Sequence, residues 1–145
     1  MTDFDLQLQR VVNSTPEAAF EHWVDAQARR RWYAPDAGWI VEAETDLRVG
    51  GAWLVRYGPT PDWMFVEDGV FEEIDPPHRV VYTNRHAYPD GRPEFATRVT
   101  VSFEAHDGGT RLTLLDTGYP SEELRDANER GWPQFLDGFE RTVGS

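Results

Sequence analysis

The sequence predicts an α+β fold in which a twisted antiparallel sheet is covered by a long C-terminal helix. Segments with alternating apolar and polar residues follow one another along most of the chain, separated by Gly, Pro and Asp, which is typical of consecutive antiparallel strands. Residues 128–143 instead carry apolar side chains at helical spacing. Because one strand segment has a fully apolar face, that face must be covered by another element.

The chain begins with a predicted strand and two short helices. Residues 4–12 alternate polar and apolar side chains and predict the strand. Ser14 is the expected N-cap of the first helix, with Pro16 in its first turn and Glu17 completing a capping box. A second helix is predicted over 26–33 and must end before Pro35.

The middle of the chain predicts six further strands. Turn residues such as those at 50–51, 75–77, 88–93 and 107–109 separate them, and short turns favour antiparallel pairing between neighbours. The predicted strands are 38–47, 52–58, 63–74, 79–87, 94–104 and 110–118. The orientation of 63–74 is left open, because this segment is apolar on both faces.

The segment 94–104 has the clearest alternation and sets the expected orientation of the sheet. Arg98, Thr100 and Arg111 are predicted to face solvent. The residues predicted to face the long helix are Phe95, Thr97, Val99, Val101, Phe103, Leu112 and Leu114.

The C-terminal helix, with Ser121 as its expected cap, contains two residues that disfavour helices. Gly131 and Pro133 flank Trp132, and a proline inside a helix removes a backbone hydrogen bond. We therefore expect a continuous helix over about 122–142 that deviates near 129–133. A bent helix above a curved sheet leaves room for a cavity.

Composition excludes several classes of partner. The net charge of −12 argues against nucleic acids and anionic membrane surfaces, and the absence of cysteine excludes disulfides and thiolate metal sites. The scattered histidines have no metal-ligand spacing, so neither a metal nor a cofactor is predicted. With no apolar leader or membrane-length segment, residues 1–145 are expected to form one cytoplasmic domain, a monomer or homodimer.

Three residues are candidates for catalysis. His86 follows the apolar part of a strand at the expected cavity mouth and is a potential general base, although a solvated loop histidine would look the same. Asp116 shares alternation with Leu112 and Leu114, so it either points toward the apolar face or lies beyond the core in solvent. Arg10 is a potential ion-pair partner for a buried Asp116.

Aromatic side chains on the strands and the long helix are candidates for lining the cavity, but they are equally suited to filling a core. For Phe20, Trp23 and Trp32 we expect core positions. The predicted ligand-binding residues are Trp53, Tyr57, Trp63, Tyr82, Thr97, Val99, Trp132, Phe135 and Phe139.

The order of several motifs resembles a known family. "STPEAAFEHW", "RRRWYAP", "DLRVGGAW", "GVFEEIDPPHRVVYTN", "GGTRLTLLDTGY" and "GWPQFLDGF" together resemble homologues of the activator of the heat-shock protein 90 ATPase, within the START-like, birch-pollen-allergen-like superfamily. The resemblance spans nearly the whole chain. It implies a helix-grip fold: six or seven antiparallel strands, two short helices after strand one, and a long C-terminal helix over a largely apolar cavity.

Three functions are compatible with these observations. The first is binding of a small hydrophobic, ring-containing molecule by a carrier, sensor or sequestering protein, because such pockets are mostly apolar. The resemblance also implies, as alternatives, an enzyme of the polyketide cyclase, aromatase or dehydratase type, or a co-regulator of a chaperone ATPase. An enzyme would require a perturbed carboxylate or histidine inside the cavity, and a chaperone partner would require an exposed apolar patch.

Overall fold

A computed structural model describes residues 4–144. Seven strands and three helices follow one another in the predicted order. In chain order the elements are β1 (Phe4–Val12), α1 (Pro16–Val24), α2 (Ala26–Trp32), β2 (Ile40–Thr45), β3 (Ala52–Thr60), β4 (Trp63–Asp75), β5 (Arg79–Ala87), β6 (Phe95–His106), β7 (Gly109–Tyr119) and α3 (Glu122–Val143).

The seven strands form one antiparallel sheet in the order β1-β7-β6-β5-β4-β3-β2. From β2 to β7 each strand pairs with the next along the chain, as short turns dictate. β1 pairs with β7, so α1 and α2 carry the chain from one edge of the sheet to the other. The α+β prediction is confirmed, and the arrangement is that of a helix-grip fold.

The predicted register of β6 and β7 is confirmed. Thr97, Val99, Val101, Phe103, Leu112 and Leu114 are buried and Phe95 is half-buried. On the opposite face Arg98 is exposed, while Thr100 and Arg111 are partly exposed. One detail differs from the prediction. Phe103 was expected to face the long helix, but it packs on α1, where its ring centroid lies 5.5 Å from that of Phe20.

The start of α1 differs from the prediction. Thr15, and not Ser14, is the N-cap, because the Thr15 side chain accepts a hydrogen bond of 3.1 Å from the backbone N–H of Ala18. Pro16 then occupies the first helical position, where its missing N–H costs nothing. With the cap shifted by one residue, Glu17 no longer stands at the capping-box position.

α3 is continuous from Glu122 to Val143 and includes Pro133. Ser121 caps it as predicted, accepting a hydrogen bond of 3.2 Å from the backbone N–H of Leu124. The bend at 129–133 stays a prediction. No helix within residues 4–144 combines the length and apolarity needed to cross a membrane.

An aromatic core joins the short helices to the C-terminal half of α3. The Phe139 ring lies 5.1 Å from that of Trp23 and 5.2 Å from that of Trp32, in edge-on geometry, which favours aromatic pairs. Phe20, Trp23 and Trp32 are all buried, so the expected core positions are confirmed.

Candidate functional site

A cavity of about 270 Å³ lies between the sheet and residues 127–135 of α3. The segment after α2 lines one side, and the β5–β6 connection lines another. The lining residues are Tyr33, Pro35, Trp39, Tyr57, Phe65, Val66, Glu67, His86, Ala87, Tyr88, Arg92, Ala127, Asn128, Gly131, Trp132 and Phe135.

Aromatic rings form most of the cavity wall. Trp39, Tyr57 and Phe65 are mutual neighbours with nearly parallel rings: the Phe65 centroid lies 5.9 Å from Trp39 and 5.4 Å from Tyr57, and the Trp39 and Tyr57 centroids are 6.3 Å apart. Phe135 of α3 meets Tyr57 edge-on at 5.5 Å. Together these rings form an apolar surface suited to another flat ring.

A buried carboxylate, Glu67, stands among these rings. Its Oε1 accepts hydrogen bonds from the Tyr33 hydroxyl at 2.7 Å and from Asn84 Nδ2 at 2.9 Å. Its Oε2 accepts a hydrogen bond from the Tyr57 hydroxyl. Because a buried carboxylate is costly unless it is hydrogen-bonded, these donors explain how β4 keeps a charged side chain on the inner face.

The two tyrosines are held as hydrogen-bond donors. Burial raises the pKa of Tyr33 and of Tyr57 well above the ordinary value, and the negative charge of Glu67 raises both further. The guanidinium of the fully buried Arg29 lies 5.5 Å from the centre of the Tyr33 ring. Tyr33 therefore connects a buried cation, through its ring, to a buried carboxylate, through its hydroxyl.

His86 lines the cavity beside Glu67. Its Nδ1 lies 4.0 Å from Glu67 Oε2, and its side chain is 7% exposed. The imidazole stacks on Phe95 with ring centres 4.5 Å apart. Its Nε2 has no hydrogen-bond partner within residues 4–144. The structure thus places His86 inside the cavity and not in a solvated loop.

Asp116 points inward, and its neighbours differ from those predicted. It is fully buried, and its Oδ2 accepts hydrogen bonds from the Tyr119 hydroxyl and from Trp132 Nε1. The predicted pairing with Arg10 is wrong. Arg10 forms ion pairs at the surface with Asp137 and Glu140 of α3, at 3.0 and 2.9 Å, because those exposed carboxylates can be paired without burying the guanidinium.

Asp116 therefore anchors the cavity wall without lining the cavity. Burial raises the pKa of Asp116, and the hydrogen bonds from Tyr119 and Trp132 oppose that rise. The bond to Trp132 attaches α3 to β7 at the inner end of the cavity.

The predicted ligand-binding residues fall into three groups. Tyr57, Trp132 and Phe135 line the cavity, whereas Trp63 is 46% exposed and lies outside it. Those that instead belong to the packed interior are Trp53, Tyr82, Thr97, Val99 and Phe139. The indole of Trp53 donates to the Thr83 carbonyl and the Tyr82 hydroxyl accepts from Trp23, each at 3.0 Å, so both polar groups are satisfied within the core.

Sequence reasoning missed Glu67, Tyr33 and Trp39. Glu67 lies in the strand whose orientation was left open, and a charged residue there would ordinarily be assigned to solvent. A signal was available: Phe65, Glu67 and Phe71 share one face of β4 by alternation, and the structure shows that face turned inward. Tyr33 ends the predicted second helix and Trp39 lies near the start of the predicted strand 38–47, but in the structure both lie just outside regular elements, where periodicity does not show which way a side chain points.

Within residues 4–144, no group of three or more His, Asp or Glu residues is arranged to hold a metal ion.

Solved structures with the same fold include several bacterial proteins. Protein CV1439 from Chromobacterium violaceum superposes with a TM-score of 0.84 at 24% identity, covering 97% of this chain and 98% of that one. Mll3558 from Rhizobium loti superposes with a TM-score of 0.80 at 25% identity, covering 97% and 96%. An AHSA1-like protein from Aeromonas hydrophila superposes with a TM-score of 0.76 at 24% identity, covering 97% and 92%.

Sequence comparison assigns the family. Among proteins of curated function, no sequence matches this chain significantly. Residues 13–144 match the family described as Activator of Hsp90 ATPase homolog 1-like protein. Since that match covers nearly the whole chain, the protein belongs to the activator of Hsp90 ATPase homolog 1-like family of the START/SRPBCC superfamily, whose fold is in general a ligand-binding one.

Proposed function

We propose that this protein binds a small, hydrophobic, ring-containing molecule in the cavity beneath α3. The observation that supports this most strongly is the cavity wall, in which the nearly parallel rings of Trp39, Phe65 and Tyr57 lie beside a single buried carboxylate and Phe135 of α3 meets Tyr57 edge-on. Apolar pockets with a few fixed polar groups are typical of small-molecule sites. A carrier, a sensor or a sequestering protein would each use such a site.

The size of the cavity limits the ligand. Ligand pockets usually enclose roughly 300–1,000 Å³, and the volume of about 270 Å³ is just below that range. An apolar cavity of roughly 150 Å³ can hold benzene. We therefore expect a ligand core of about two fused rings.

Native mass spectrometry and thermal unfolding test the proposal. Freshly purified protein is expected to carry a co-purifying small molecule or, if empty, to bind naphthalene-sized rings. A ligand at about 100 times its Kd stabilises the fold by roughly 2.7 kcal/mol, which for a domain of this size raises Tm by roughly 5 to 10 °C. No co-purifying mass and no shift across a library of apolar ring compounds would contradict the proposal.

A cavity-filling substitution locates the site. A Cβ built on Gly131 would meet no described atom within 4 Å, and Gly131 lines the cavity, so Gly131→Leu places an apolar side chain in the proposed site without removing a wall. Gln134 is exposed on the same helix, and Gln134→Leu is the matched control. We expect the first variant to lose ring binding at least tenfold and the second to retain it.

A second candidate function is acid–base catalysis on a cyclic or polyketide-like substrate. The approach of His86 Nδ1 to Glu67 Oε2 at 4.0 Å inside the cavity favours it, because a histidine oriented by a carboxylate is a common general base. An enzyme would lose turnover in His86→Ala while keeping its affinity for the substrate. A binding protein would show no turnover of a cyclic ketone in either form.

A further inference from the structure

The cavity has an enclosed end, lined by buried residues, and an open end, lined by exposed ones. At the enclosed end, the hydroxyls of Tyr33 and Tyr57 both donate to Glu67, so these polar atoms are already engaged within the protein. At the open end lies Arg92, whose side chain is 53% exposed. Arg92 is the only arginine among the lining residues, and the sequence has no lysine. Its guanidinium is accessible to a ligand and stays charged at any pH that the folded protein meets.

Two contacts hold the Arg92 guanidinium at this open end. Its central carbon lies 4.5 Å from the ring centre of Tyr88, which also lines the cavity. Its Nε donates to the Asp90 carboxylate at 3.0 Å, and Nη2 donates to the same group. Asp90 also accepts a hydrogen bond of 3.2 Å from the backbone N–H of Arg92. Because the side chain is already ordered, a further contact with a ligand costs little conformational entropy.

A second arginine of the same protein shows what Arg92 can still bind. Arg85 also uses Nε and Nη2 for one carboxylate, that of Asp68. Its Nη1 then contacts a second carboxylate, that of Glu94, at 2.8 Å. No hydrogen bond of Arg92 within residues 4–144 uses Nη1. Arg92 therefore has the first carboxylate of this arrangement and lacks the second.

We propose that Arg92 binds a carboxylate group of the ligand, so that the ligand class is ring-containing carboxylic acids. The ring occupies the aromatic part of the cavity, and the carboxylate lies at the open end. The negative charge of Glu67 at the enclosed end disfavours the reverse orientation. This inference rests on the proposed function, and it adds the chemical group that the cavity recognises.

The net charge of −12 opposes the approach of an anion without excluding this ligand. Exposed charges more than about 8–10 Å apart are largely screened at physiological ionic strength. A small monoanion at the open end is therefore governed by the groups that it touches, and charge-assisted hydrogen bonds to a guanidinium are among the strongest that a carboxylate forms.

Three compounds that share one ring system test this on the intact protein. We would measure by calorimetry, at neutral pH, the binding of 2-naphthoic acid, which is then ionised, of 2-naphthamide and of naphthalene. The amide has nearly the shape of the carboxylate but no charge, so the ratio of the two affinities reports the ion pair. We expect 2-naphthoate to bind about threefold to fivefold more tightly than 2-naphthamide, as a partly exposed ion pair predicts.

A substitution at Arg92 provides the second measurement. Arg92→Gln removes the positive charge and leaves the Asp90 carboxylate beside the cavity, so the preference for 2-naphthoate should fall to about onefold or below. Arg98→Gln is the matched control. Arg98 is exposed on the opposite face of the sheet and uses the same two nitrogens for Glu72. This control loses the same charge away from the cavity and should keep the preference.

The outcomes separate the two proposals. This inference is wrong, while ring binding stands, if wild-type protein binds 2-naphthoate no more tightly than 2-naphthamide, if the preference persists in Arg92→Gln, or if Arg98→Gln also abolishes it. If Arg92→Gln does not fold, the comparison of the compounds on the wild-type protein decides alone. Failure of all three compounds to bind would overturn the proposed function, and this inference with it.

Discussion

The two halves of α3 meet the rest of the protein in different ways. In the C-terminal half, Phe139 is fully buried and Gly138 lies so close to α2 that a Cβ there would be 2.9 Å from the Trp32 carbonyl oxygen. From the N-terminal half to just past the middle of the helix, Gly131 and Phe135 face the cavity. The same amphipathic helix thus fills space at one end and leaves it open at the other.

This difference separates stability from binding. A side chain in the packed half contributes through contacts on every side, so its loss leaves a void. A side chain over the cavity already has an open side, and shortening it enlarges a space that exists. Mutations in the packed half should therefore change the free energy of unfolding, and mutations over the cavity should change ligand affinity.

The largest expected effect is at the aromatic pair of α3. Phe139→Ala should lower the free energy of unfolding by about 3–5 kcal/mol, as large-to-small substitutions in a core do. Phe135→Ala, the matched change over the cavity, should cost only about 1–2 kcal/mol, because the Phe135 side chain is only partly buried. Urea unfolding of both variants measures the difference. Equal losses would mean that the cavity half is packed as tightly as the other.

The next largest effect is expected at Gly138. Its close approach to the Trp32 carbonyl oxygen leaves no room for a methyl group, so Gly138→Ala must displace α2 or α3. Overpacking of this kind costs about 1–3 kcal/mol. Thermal unfolding should show a lower Tm than wild type. An unchanged or higher Tm would show that the two helices separate freely at this point.

Gly131 should respond in the opposite direction. Nothing described lies within 4 Å of a Cβ at this position, and alanine is favoured over glycine inside a helix by about 1 kcal/mol. Gly131→Ala should therefore raise the free energy of unfolding by up to about 1 kcal/mol, measured in the same urea series. A lower free energy of unfolding in this variant would mean that the cavity wall lies closer to α3 than it does in the structure.

The smallest expected effect is a pH dependence at Asp116, where the two halves of the helix meet. Burial raises the pKa of Asp116 in the folded protein. At pH values between the unfolded pKa of about 3.9 and this raised pKa, Asp116 is protonated to a greater extent in the folded protein than in the unfolded chain. The contribution of Asp116 to stability is therefore greatest at low pH and falls as the pH rises through the raised folded pKa.

The comparison with Asp116→Asn isolates this contribution from other titrating groups. We expect the stability of wild type relative to the variant to be higher at pH 4 than at pH 7 in urea unfolding. A relative stability that rises with pH would mean that the hydrogen bonds from Tyr119 and Trp132 outweigh burial.

The sequence alone predicted the order of the elements and the inner face of β6 and β7. Alternation along a strand and apolar spacing along a helix are local properties, and they decide which side of each element is buried. The continuous α3 and its Ser121 cap followed from the same local signals. The family resemblance added the helix-grip arrangement, which the family match and the structure confirm.

Only the tertiary structure decided which buried side chains border empty space. Trp53, Tyr57 and Tyr82 looked alike as aromatic residues on strands, yet Tyr57 alone of the three lines the cavity. Glu67 and His86, which lie in different strands, meet through the pairing of β4 with β5. Burial follows from local patterning, whereas the position of a cavity depends on how far α3 stands from the sheet at each point, and that distance is set by contacts remote in sequence.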